Sequence, residues 1–163
     1  MKSPQVLAAK LAQQWHSADW RERQLLGGGT AWPLTLPIGQ PDTRRMSELD
    51  AAFVHAIVDA SIARWLTIEA ILKKCTDKPF AEFEPGLKGV LIGAAAQLLF
   101  LDRVPAHAVL DTAVDWAKAN VRAGAAGLCN ALLRNLTEAI DAKTDQPWDG
   151  STTSIPLSTG GSI

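Results

Sequence analysis

Residues 93–136 read GAAAQLLFLDRVPAHAVLDTAVDWAKANVRAGAAGLCNALLRNL, and the punctuation of this stretch decides the fold class. Arg103-Val104-Pro105 interrupts it once and the run from Gly124 to Gly127 interrupts it again, because Pro and Gly are the residues that least tolerate a helix interior. Between the two breaks a helix over 105–120 places Val109, Ala113, Val114 and Ala117 on one stripe. After the second break a helix over 125–142 aligns Leu128, Leu132, Leu136 and Ile140 on one face. Before the first break a helix over 85–101 carries Gly86, Gly89 and Gly93 with Ala94, Ala95 and Ala96, small residues that let a neighbouring helix come close.

Upstream, residues 42–78 contain neither Pro nor Gly. A helix starting at Ser47, with Asp50 three residues on as a shortened capping box, follows the 3.6-residue period through Leu49, Phe53, Val54, Ile57, Val58 and Ile62. The period continues to Leu72, which is long for one globular helix, so two helices with a bend near Arg64–Thr67 are predicted. Lys73, Lys74 and Lys78 suit the negative end of the second helix dipole. Residues 21–43, with Gly27-Gly28-Gly29, Pro33, Pro37, Gly39 and Pro41, read as an irregular connection or insertion. A first helix over 4–17 is capped by Ser3 and opened by Pro4. Residues 144–163 form a polar Ser/Thr/Gly/Pro-rich tail or linker, expected to be flexible, that reads as leading elsewhere. No segment alternates as a strand does. One all-α domain over 1–143, a compact bundle of six to seven helices, is the expected architecture.

Composition narrows the function. With 163 residues and 47% hydrophobic content the chain can bury a core. Sixteen Lys and Arg against 17 Asp and Glu leave a net charge of −1, so any basic site is a local patch. Cys75 and Cys129 are too few for a disulfide scaffold or a zinc module and read as buried thiols. The opening MKSPQVLAAK lacks an apolar signal region, and the longest apolar run, Val90 to Leu101, is too short to span a bilayer. A cytoplasmic protein without a membrane partner is expected.

Few residues carry chemistry. His16, His55 and His107 are scattered, and His55 with Asp59 one turn on reads as a hydrogen-bonded pair rather than as a metal site. The triple glycine lacks the following Gly-Lys-Ser/Thr of a phosphate-binding loop. Asp111 and Asp115 read as solvated carboxylates. No catalytic residue, metal, cofactor or small-molecule substrate is indicated. The cations are more informative by position. Lys2, Lys10, Arg44, Arg45, Arg103, Arg122 and Arg134, with His107, lie near helix ends or turns and are the candidate phosphate contacts for an RNA. Gly124-Ala-Ala-Gly127 reads as a helix start whose free N–H groups suit a phosphate. Pro105, Gly124, Gly127 and Asn130 are structural candidates, Asn130 through a cap or an inter-helix hydrogen bond. Trp15, Trp65 and Trp116 fit amphipathic helices, whereas Trp20, Trp32 and Trp148 fall in loops or the tail.

The segment LLFLDRVPAHAV, residues 98–109, resembles the turn between the central helices of the NusB family. Ala113-Val114-Asp115-Trp116-Ala117-Lys118 resembles that family's EAVELAK helix, with Asp115 in place of Glu and Trp116 in place of Leu. The run from Gly124 to Leu136 resembles its closing GAAGLVNAVLRRL helix, in the wording of the N-terminal domain of bacterial 16S rRNA cytosine-C5 methyltransferases. The resemblance implies an all-helical RNA-binding domain. In the antitermination branch, such a domain binds leader or ribosomal RNA with a small ribosomal subunit protein and acts on the transcription machinery. In the methyltransferase branch, it holds rRNA for a separate domain that binds S-adenosylmethionine and supplies catalytic cysteines. Transcription regulation by termination or antitermination is the first expectation, the non-catalytic methyltransferase domain the alternative, and a protein-interaction module without RNA the third. The chain departs from the antitermination pattern in its first helix, which holds only Lys10, with Lys2 ahead of it, where that branch is arginine-rich.

Overall fold

The computed structural model describes residues 44, 46–101, 103–146, 148, 150, 154–157 and 161–163. The helix expected over 4–17 and the connection over 21–43 lie outside them. Among the described residues there are five α-helices and one 3₁₀ turn, where six to seven helices are expected. They are α1 (Glu48–Ala63), α2 (Trp65–Lys74), the 3₁₀ turn Phe80–Glu82, α3 (Pro85–Phe100), α4 (Ala106–Asn120) and α5 (Ala123–Asp141).

Helix α1 begins as the sequence reading has it. Ser47 is extended, and the Asp50 N–H donates to its Oγ at 3.1 Å. Replacing Ser47 by Ala is expected to cost about 1 kcal/mol of stability, since one of the first-turn N–H groups loses its acceptor; a denaturant titration checks it. The predicted bend falls at Arg64, whose φ of −124° and ψ of 18° leave the helical region, and α1 and α2 meet at 76°. The bend lets both helices lay Val54, Ile57, Ile68, Ile71 and Leu72 inward, which one straight rod of this length would not do.

Helix α3 is the centre. From Gly86 to Gln97 every residue except Lys88 is buried, so the helix is apolar all round rather than on one face. It packs against α1, α2, α4 and α5. Its Gly and Ala residues have little side-chain volume, which makes room for four neighbours. Pro85 opens it at a position where the missing N–H has no intrahelical partner to lose. Helix α4 then runs back along it, and α5 packs most extensively on α4. Leu132, Leu133 and Leu136 of α5 complete the core with Val109, Trp116 and Ala117 of α4. The second break sits at Val121–Arg122, and α5 starts at Ala123. The helix thus begins two residues ahead of the expected 125, and Gly124 joins Gly127 inside its first two turns.

Beyond α5 the chain folds back. Thr144 and Ser162 exchange two backbone hydrogen bonds of 3.2 and 3.0 Å, and Ile155 and Ile163 two more of 2.7 and 3.0 Å. Leu157 is buried in the main core, with Ile155 and Ile163 packed against it. Among the described residues no single helix is long and apolar enough to cross a membrane.

Candidate nucleic-acid interface

The α3–α4 turn is the best-built of the candidate positions. After α3 the chain extends through Leu101, and Val104 packs with Leu101 against Phe53 and Ile57 of α1. Pro105 caps α4 with its backbone alone: its carbonyl accepts from Ala108 N–H at 3.0 Å and Val109 N–H at 3.2 Å. This fixes Arg103 and His107, both exposed, on either side of the proline. The Arg103 guanidinium lies 5.6 Å from the Phe53 ring centroid, a cation–π distance that holds the charge at the surface over an anchored ring. A second such pair is close by in the fold: Arg64, at the α1–α2 bend, sits 4.7 Å from the ring of Phe100, the last residue of α3. Sequence reasoning placed Arg64 only at the bend. Its contact with Phe100 is a long-range one, which periodicity does not encode.

The other cations do not all gather there. Arg122 lies between α4 and α5, and its Nε donates to Glu84, the residue before α3. That hydrogen bond and charge hold the Glu84 carboxyl below its ordinary range. Helix α3 has 16 residues and is about 24 Å long. Arg122, paired at its start, and Arg103, beyond its end, therefore sit at opposite ends of the bundle. Arg134 lies on the exposed side of α5 with Gly127, Asn130 and Ala131. Arg44 is exposed ahead of α1. Lys2, Lys10 and Arg45 lie outside the described residues.

Asn130, the candidate for a cap or an inter-helix hydrogen bond, is exposed. The inter-helix amide bond comes from Asn135 instead, whose Nδ2 donates to the Cys75 carbonyl at 2.9 Å and ties α5 to the end of α2. The two positions are five apart, so they face different sides of the helix, and the apolar stripe alone does not say which faces α2.

Both thiols are free and buried. Burial raises the Cys75 thiol, partly offset by Lys74, and pushes Cys129 up to about 12. Neither is a thiolate near neutral pH, as a nucleophile would be. The unfolded chain ionises Cys129 near its ordinary 9.0 and the folded chain only near 12. Between those values the unfolded state holds fewer protons, so this contribution to stability is whole below pH 9 and declines above it. A Cys129→Ala variant is therefore expected to lose stability less steeply than the parent between pH 9 and 11, as followed by denaturant unfolding. Among the described residues no three His, Cys, Asp or Glu side chains converge as a metal site.

The described residues thus form a helical bundle around a buried central helix, with a proline-capped turn on an aromatic anchor and exposed cations at helix ends. The NusB family model matches residues 3–138, and the chain belongs to the NusB family. Domains of this family also form the N-terminal part of rRNA methyltransferase B homologues. Over 103 residues, 63% of its length, the chain is 33% identical to the probable ribosomal RNA small subunit methyltransferase B of Synechocystis sp., covering 21% of that protein. Over 85 residues, 52% of its length, it is 35% identical to the ribosomal RNA small subunit methyltransferase B of Xanthomonas campestris pv. campestris, covering 19% of it. The chain thus spans about a fifth of the length of these curated relatives. What it matches is their NusB-like portion and not their catalytic region.

Proposed function

We propose that this chain is an RNA-holding domain of the methyltransferase branch: it grips small-subunit ribosomal RNA and performs no methyl transfer of its own. The observation that carries the reading is the identity to two proteins named as small subunit rRNA methyltransferases, of which the chain matches the NusB-like portion. The buried, protonated thiols support it, since neither Cys75 nor Cys129 is poised to attack a base. Arg103 and His107 on the α3–α4 turn, with Arg134 on α5, are the phosphate contacts, and the ring under Arg103 limits how far that charge can move. Transcription antitermination with a ribosomal-protein partner is the second reading; family membership supports it.

The test is a titration of the full chain with short small-subunit rRNA hairpins and with leader-type RNAs at two salt concentrations, read by tryptophan emission. Affinity is expected to fall with salt, as it does when phosphates are neutralised and counterions released. Arg103→Ala is expected to weaken all RNAs alike and to reduce the salt slope by about 0.7–0.9. Preference for the rRNA hairpins supports the methyltransferase branch, and preference for leader RNA supports the second reading. Absence of binding at low salt sinks both and leaves a protein-interaction module.

A further inference from the structure

Helix α3 contains one buried amide, Gln97, at 4% exposure. Its Nε2 donates to the Gly93 carbonyl at 3.0 Å. That bond settles the orientation of the amide, because the reversed group would set oxygen against oxygen. The oxygen, Oε1, is buried and has no hydrogen-bond partner among the described residues. The same holds for Nε1 of Trp116 on α4, a residue also 4% exposed. A buried donor and a buried acceptor left unpaired would each cost about 1–3 kcal/mol.

The two residues line one pocket. It runs along the α3–α4 seam, at positions i, i+3, i+4 and i+7 counted from Val90 on one helix and from Val109 on the other. Gln97 and Trp116 are the last member of each set, and Thr112 is the other polar residue of the lining. The Thr112 hydroxyl donates to the Ala108 carbonyl at 2.8 Å, so its proton is used and its oxygen is left as an acceptor. The cavity has a volume of about 10 Å³. That is room for one water and too little for a side chain or a nucleobase. Gly93 and Ala94, being small, are what leave the room.

We propose that this pocket is a built site for a single water molecule that joins Gln97 Oε1 to Trp116 Nε1 and so links α3 to α4. The water accepts from the indole N–H and donates one proton to the Gln97 oxygen and the other to Thr112 Oγ1. Three bonds is the usual complement of a buried water. The indole of Trp116 brings a donor that burial obliges the structure to satisfy. The link sets the register of α4, and therefore of His107 at its first turn, against the central helix.

A crystal structure of the full chain at better than about 1.8 Å resolution tests this. The expected result is a water peak within hydrogen-bonding distance of both Gln97 Oε1 and Trp116 Nε1. No peak, or a peak bonded to only one of them, overturns the proposal. A double-mutant cycle in solution gives an independent reading. Gln97→Met and Trp116→Phe are each expected to lower the folded-to-unfolded ratio several-fold, with the double variant losing less than the product of the two. Factors that simply multiply would mean that the two atoms share nothing, and would also overturn it. The cycle cancels the loss of ring volume in Trp116→Phe, so a merely structural cost of that substitution does not imitate the expected coupling.

Discussion

Leu91→Ala is expected to lower the unfolding free energy by about 2–5 kcal/mol, the range for a buried leucine truncated where the surroundings cannot collapse. Leu91 is 0% exposed and lies midway along α3, with four helices around it. On the next turn of α3 its neighbours are Ala94 and Ala95, which have no longer side chain to swing into the gap. The hole therefore persists, and the cost belongs at the upper part of the range. The check is a denaturant midpoint that falls at unchanged slope. Leu66→Ala is the control: Leu66 is 66% exposed, and its truncation is expected to stay within about 0.5 kcal/mol. Equal losses for the two would mean that α3 is not the centre of the core.

Gly161→Ala is expected to release the returning strand of the tail. Gly161 has a φ of +75°, and a Cβ there would stand 2.1 Å from the Thr144 carbonyl oxygen. No side-chain rotation relieves that contact, because both partners are backbone. The Thr144–Ser162 bonds would then open, and with them the Ile155–Ile163 pair and the seat of Leu157 in the core. Hydrogen exchange at the Ile155 and Ile163 amides should speed up at least tenfold, while the amides of α3 stay protected. Gly150→Ala separates strain from collision. It too has a positive φ, +83°, but no atom lies within 4 Å of its added Cβ. It should show only the conformational cost of about 1–2 kcal/mol. Unchanged exchange in Gly161→Ala would refute the docked arrangement.

The helical frame was legible because its punctuation is local. Pro85 and Pro105 act on the residues next to them, Ser47 offers its hydroxyl three residues on, and the period of α1 and α2 runs past the length that one straight helix can bury. The glycines of α5 were harder to place. Gly124 and Gly127 read as a break, yet they sit inside the helix, which Arg122 in extended conformation begins. Helix propensity is a weak force beside the burial of Ala125, Cys129 and Leu132 on the same turns. The candidate interface was legible one residue at a time. Arg103 and His107 flank a proline that the sequence marks plainly. What the sequence does not carry is the Phe53 ring beneath Arg103, fifty positions away, or the pairing of Arg122 with Glu84. Such partners are fixed only when α1, α3 and the turns between the later helices are brought together. The amide of Asn135 escaped notice for the same reason, since its acceptor is a backbone carbonyl sixty residues upstream.

The pairing of Arg122 with Glu84 bears on any nucleic acid that this domain meets. Glu84 is a counterion that belongs to the polypeptide itself and is not drawn from the buffer. A phosphate arriving at Arg122 must displace that carboxylate, so the gain from the new ion pair is offset by the loss of the old one. The cations condensed on the nucleic acid are still released there, so the contact keeps its salt dependence but is weaker than one made by an arginine with no such partner. At the start of α3 the chain thus supplies its own competitor for Arg122.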